Sequence, residues 1–132
     1  MSVSHKPKVF VIDDSKGFCT YMRILLRKNG IESSTFNNAQ DALDQIEEQD
    51  PFLLLIDWNM PEMSGDELLI RISEETLFGD RLIYMITGEQ LTNDKAFSLK
   101  SLGIAEIFNK PFDEQDLISK ILAALPLNEK AA

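Results

Sequence analysis

Short apolar runs alternate along this chain with stretches whose apolar residues recur at helical spacing, and few folds accommodate that order. The runs are VFVID (9–13), IESSTF (31–36), FLLLID (52–57), LIYMIT (82–87) and IAEIF (104–108). Most are nearly continuous in apolar residues and read as strands buried on both faces, whereas IESSTF is more polar and belongs nearer a sheet edge. Between and after them lie apolar stripes: Phe18, Tyr21, Met22, Leu25 and Leu26; Ala39, Ala42, Leu43 and Ile46; Leu68, Leu69 and Ile72; a patchier set of Leu91, Leu99 and Leu102; and Leu117, Ile118, Ile121, Leu122 and Leu125. Strict alternation of strand and helix with short connections requires right-handed crossovers, hence an α/β domain with a parallel sheet covered on both faces.

The punctuation agrees with this reading. Asn29-Gly30 has the form of a helix stop, and Ser64 with Glu67 and Asp113 with Asp116 have the spacing of helix N-terminal caps. A length of 132 residues suits one domain. It is expected over 8–125, with loose tails at 1–7 and 126–132. A net charge of −9 opposes nucleic-acid phosphates and anionic lipid, so neither is an expected partner. Cys19 is the only cysteine, the opening MSVSHKPK lacks a signal-peptide core, and 52–56 is too short to span a bilayer. A cytoplasmic protein without membrane insertion is expected.

In an open parallel sheet, ligands gather beyond the carboxyl ends of the strands. Asp13 and Asp14 end the first strand, Asp57 the third and Thr87 the fourth, while Lys110 follows the fifth. Three neighbouring carboxylates repel one another unless a hard divalent cation offsets their charge, and Mg²⁺ suits an all-oxygen set that leaves room for phosphate oxygens. Asp57 then has the makings of a nucleophile toward a phosphoryl group, with Lys110 neutralising one phosphoryl oxygen and Thr87 donating a hydrogen bond to another. Each residue alone has a plainer reading: Asp14 as a helix cap, Asp57 as a turn residue before Pro61, Thr87-Gly88 as a strand exit, and Lys110 as a solvated charge contributing little packing. Their joint placement after successive strands favours the site. Met60, Met63 and Met85 read as core filler. Trp58, beside the site, is expected to be partly exposed and to serve as a reporter of it.

VFVIDDS, LLLIDWNMPEMSGDELL, MITGE and NKPF, in this order and spacing, resemble the response-regulator receiver domains of two-component signalling, particularly the stand-alone chemotaxis type. The fold expected with that resemblance is a single doubly wound domain of five parallel strands and five helices in the flavodoxin-like order 2-1-3-4-5. The resemblance implies that Asp57 accepts a phosphoryl group from a phosphohistidine on a sensor histidine kinase or a histidine phosphotransfer protein. It implies Mg²⁺ held by Asp14 directly, Asp13 through water, Asp57, and the backbone carbonyl of Asn59. Thr87 and Lys110 match the switch hydroxyl and the phosphate-contacting lysine, and Lys110-Pro111 matches a peptide bond usually kept cis. The resemblance also implies that Asn59 and Glu89, which flank the site, tune phosphoryl lifetime. The family generally has Tyr or Phe where this chain has Ile107, and Phe108, one place later, points to the other face of its strand; the usual threonine-to-aromatic coupling is therefore expected to differ.

The function expected is a phosphoacceptor switch, not an enzyme, acting on a downstream protein through the surface around the fourth helix, fifth strand and fifth helix. Only PLNEKAA follows the last helix, so no output domain is expected here; the alternative is a receiver fragment of a longer regulator or hybrid kinase. Two other classes fit less well. A phosphatase of the haloacid dehalogenase type carries a second acid two residues after its nucleophile, where this chain has Asn59. A flavodoxin-like cofactor binder requires an uncharged phosphate loop where Asp13-Asp14-Ser15 stands.

Overall fold

A computed structural model describes residues 8–60, 63, 65–74 and 79–126. The elements alternate strictly: β1 (Lys8–Ile12), α1 (Lys16–Lys28), β2 (Glu32–Phe36), α2 (Ala39–Gln49), β3 (Leu53–Asp57), α3 (Gly65–Glu74), β4 (Leu82–Thr87), α4 (Asn93–Ser101), β5 (Ile104–Asn109) and α5 (Glu114–Ala123). The five strands form one parallel sheet in the order β2-β1-β3-β4-β5, the doubly wound arrangement expected from the sequence.

Burial follows position in the sheet. Central β3 is buried at every residue, β1 and β4 at all but the first, and the edge strand β2 at none. Successive side chains of a strand enter opposite layers. Phe10, Ile12, Leu54, Ile56, Ile83 and Met85 pack against α2, α3 and α4 through residues such as Ile46, Leu68, Ile72 and Leu99. Val9, Val11, Leu53, Leu55, Tyr84 and Ile86 pack against α1 and α5 through Met22, Leu26, Leu117 and Ile121.

The helices start where side chains satisfy their first backbone N–H groups. Ser15 Oγ accepts from Phe18 N at 3.2 Å, Asn38 Oδ1 from Asp41 N at 2.8 Å, and Thr92 Oγ1 from Lys95 N at 3.1 Å. Asp113 caps α5, although its carboxylate accepts from the N–H of Gln115 rather than that of residue 116. The Ser64 cap and the Pro61 turn lie outside the described residues, as do the tail at 1–7 and all of the other tail beyond 126. Helix α1 ends as Asn29-Gly30 foretells: Gly30 has φ +75°, and Ile31 N donates back to Leu26 O at 2.9 Å.

One irregularity is invisible in the sequence. Pairing between β4 and β5 jumps from Ile83–Ile104 to Tyr84–Glu106, which leaves Ala105 as an extra residue in β5. Ile104 therefore joins the α2–α4 layer, and beyond the bulge Phe108 enters the α1–α5 layer while Ile107 packs on the former.

Leu54 is fully buried in the central strand. Leu54→Ala is expected to cost about 2–5 kcal/mol, read as a lowered urea midpoint with an unchanged slope.

Candidate functional site

Strand parity decides which groups meet at the carboxyl edge of the sheet. Asp13 continues the series Val9, Val11, and Asp57 continues Leu53, Leu55, so both carboxylates emerge on the α1 side. Lys110 follows Phe108 with the same parity, which the bulge at Ala105 has set. Thr87 continues Ile83 and Met85 and emerges toward α4.

Asp13 is 1% exposed and Asp57 8%, while Asp14 is open to solvent. Carboxylate oxygens of Asp13, Asp14 and Asp57 lie within 4.8 Å of one another, the one acidic grouping of this kind among the described residues. Asp14 does not cap α1, because Ser15 performs that role. Asp13 is already engaged: its Oδ1 accepts from Ser15 N at 2.9 Å, and Lys110 Nζ donates to its Oδ2 at 2.8 Å. Asp57 Oδ1 accepts one weaker bond, from Asn59 N at 3.3 Å. Burial, and then the charge of Asp13, push the Asp57 carboxyl above its ordinary value; Asn59 N–H and Lys110 pull the other way without cancelling them. Three carboxylates beside a single ammonium keep a net negative charge, and their oxygens suit a hard divalent cation.

The other side of the edge is a chain of hydrogen bonds. Thr87 is fully buried, and its Oγ1 accepts from Glu89 N at 3.0 Å and from Asn59 Nδ2 at 3.4 Å. Asn109 Nδ2 donates to Glu89 O at 2.6 Å, and Lys110 N extends the ladder to Thr87 O at 2.8 Å. The loops after β3, β4 and β5 are thus tied to one another. The Lys110–Pro111 peptide is cis. Glu89 is exposed, and Ile107 is half-buried against the α2–α4 layer.

One expectation and one of the plainer readings fail on burial. Trp58 is 6% exposed, not partly open: the turn out of β3 sends its indole into the α2–α4 layer, where apolar area is removed from water. Its Nε1 has no hydrogen-bond partner among the described residues. Nor is Lys110 a solvated charge, because its side chain is 30% exposed and its ammonium lies between Asp13 and the ring of Phe18, 4.2 Å from the ring centroid. Met60 and Met85 are core residues, and Met63 packs beside them.

Several supporting residues carried no separate signal in the sequence. Phe18 reads there as one more apolar position of a helix, and Ser15 stands hidden beside the acidic pair. Cys19 donates its thiol to Asp13 O at 3.3 Å, with its pKa raised chiefly by burial and then by Asp13.

The ion pair and the strained carboxylate make separable predictions. In metal-free buffer Lys110→Met is expected to cost about 1–2 kcal/mol, since it strands buried Asp13, and Asp13→Asn in the same chain should recover most of that loss in urea unfolding. For Asp57 the folded pKa lies above the unfolded one, so the native state holds more protons between the two and stability falls as pH rises through that window. Asp57→Asn should therefore raise the metal-free thermal midpoint at neutral pH, with the gain vanishing as pH drops through the carboxylate range.

The family described as response regulator receiver domain matches residues 9–122. PilG of Pseudomonas aeruginosa is 30% identical over 119 residues, covering 90% of this chain and 87% of PilG. The alkaline phosphatase synthesis transcriptional regulatory protein PhoP of Bacillus subtilis is 27% identical over 125 residues, covering 95% of this chain and 51% of PhoP. The chain thus spans about half the length of PhoP and of the similarly matched PhoB of P. aeruginosa. Among solved structures, a CheY-like receiver domain from Methanospirillum hungatei superposes with TM-score 0.79 at 28% identity, covering 96% of this chain and 98% of that one. The chemotaxis response regulator CheY4 of Vibrio cholerae gives 0.79 at 25% identity, covering 90% and 98%. With the match running from β1 into α5 and the acidic edge in place, this chain belongs to the response regulator receiver domain family of two-component signalling.

Proposed function

We propose that the domain, taken as residues 8–125, is a phosphoacceptor switch in which Asp57 takes a phosphoryl group from a phosphohistidine. The observation that carries this reading is the contrast between two buried carboxylates on one edge: Asp13 is closed by Ser15 N–H and Lys110, while Asp57 is left with raised pKa and one long hydrogen bond. A carboxylate so placed is a ready nucleophile once its ionised form is favoured. An Asp57 oxygen attacks phosphorus, the new P–O bond forms as the P–N bond breaks, and the bonding pair returns to the donor's imidazole. The donor is a sensor histidine kinase or a histidine phosphotransfer protein.

Asp14, Asp57 and the carbonyl of Asn59 would hold Mg²⁺, with Asp13 contacting it through water. When bound, that ion supplies positive charge against the phosphoryl oxygens and favours the ionised Asp57. Lys110, already at the site, would shift its ammonium from Asp13 to a phosphoryl oxygen. Thr87 Oγ1 turns toward another, which would disturb its contacts with Glu89 and Asn59 and so pull on the loops after β3 and β4. With Ile107 at the position usually aromatic, that pull reaches the α4–β5–α5 surface through aliphatic packing, and a downstream protein reads it there. Glu89, exposed beside Thr87, modulates how long the phosphoryl group lasts. The domain acts in the cytoplasm, and no helix among the described residues is long and apolar enough to cross a membrane.

Titrating Mg²⁺ and then beryllofluoride, a phosphoryl mimic, while following Trp58 fluorescence tests the assignment. Wild type is expected to respond saturably to the mimic only with Mg²⁺ present, and Asp57→Asn not at all. Equal binding by both proteins would remove Asp57 as the acceptor.

A further inference from the structure

The ammonium of Lys110 is held from two sides by groups of different kind. Asp13 Oδ2 takes one of its N–H bonds at 2.8 Å, and the face of Phe18 lies 4.2 Å away at the ring centroid. Phe18 is itself fixed. It stands in the first turn of α1, where its N–H donates to the cap Ser15. The ring of Phe112 meets it nearly edge-on at 6.2 Å and 87°, and Tyr21 lies 6.0 Å away with its hydroxyl donating to Glu114 of α5.

A lysine ammonium is a strongly hydrated point charge on a flexible stem, and left to itself it would swing into solvent when its carboxylate partner is engaged elsewhere. A second carboxylate would hold it, but would also occupy an N–H and compete with any incoming anion. An aromatic face attracts the cation through the ring quadrupole without taking up a directional hydrogen bond, so the remaining N–H groups of the ammonium stay available.

We propose that Phe18 is a positioning residue for Lys110, keeping the ammonium at the site as it exchanges Asp13 for a phosphoryl oxygen. This rests on the reading of Asp57 as phosphoacceptor. Phe18 acts through the lysine and touches no reacting atom. Its ring also packs on the α1–α5 layer, and that purely structural contribution depends on the shape of the ring rather than on its electron density.

Fluorination separates the two, because it drains the ring face while nearly preserving size. The full chain is made with mono-, di- and trifluorinated phenylalanine at position 18, and with Phe18→Leu and Phe18→Tyr. Beryllofluoride affinity at saturating Mg²⁺, Mg²⁺ affinity alone and the thermal midpoint are measured for each. Beryllofluoride affinity is expected to fall stepwise with fluorination, by about three- to tenfold in all. Phe18→Leu should match the trifluorinated ring and Phe18→Tyr should match wild type, with Mg²⁺ affinity constant throughout. Affinity indifferent to fluorination, or falling only in step with the thermal midpoint, overturns the role of Phe18 and leaves Asp57 untouched. A wild type that binds no beryllofluoride, or binds it as well as Asp57→Asn does, overturns the phosphoacceptor reading and this role together.

Discussion

Two carboxylates set into the buried edge of a sheet are what the rest of this structure is arranged to tolerate. An ionised group out of water needs hydrogen bonds or opposite charge. Asp13 has both, in the N–H of Ser15 and the ammonium of Lys110, and the bonds reach it from the start of α1 and the end of β5. Asp57 has neither in full, and its burial, followed by the charge of Asp13, raises its pKa. The two halves of the domain therefore meet in one electrostatic problem that is solved for one carboxylate and left open for the other.

The frame around that problem is stiff where it must hold position. Strand β3 is buried along its whole length between two apolar layers, so Asp57 is presented from the most constrained element of the fold. The groups around it sit on loops, but the hydrogen bonds from Asn59 and Glu89 to Thr87, and from Asn109 to Glu89, join those loops into a single unit. A rearrangement at Thr87 then moves several segments at once. Trp58, next to Asp57 in the chain, is enclosed in the α2–α4 layer and so is fixed by packing rather than open to solvent.

The similarity to PilG and to the CheY-like receivers runs over nearly the whole chain, whereas PhoP continues well beyond the part matched here. What is shared is thus the receiver domain, matched over residues 9–122. Ile107 lies in β5, half-buried against the α2–α4 layer.

Much of this was legible in the chain itself. Continuous apolar runs at β1, β3 and β4 specify strands buried on both faces, polar IESSTF marks an edge, and Asn29-Gly30 and Asp113 mark helix ends, because each rests on local chemistry. The convergence of Asp13, Asp14, Asp57, Thr87 and Lys110 follows as well, since a parallel sheet brings the ends of its strands to one edge. What the sequence did not disclose depends on contacts distant in the chain. The bulge at Ala105 is a matter of pairing with β4, and it sets the face on which Lys110 emerges. The burial of Trp58 depends on space between helices, and Asp13–Lys110–Phe18 joins residues from opposite ends of the chain. Periodicity and punctuation fixed the elements and their order, whereas the partners that neutralise a buried charge were decided only when the folded layers brought them within reach.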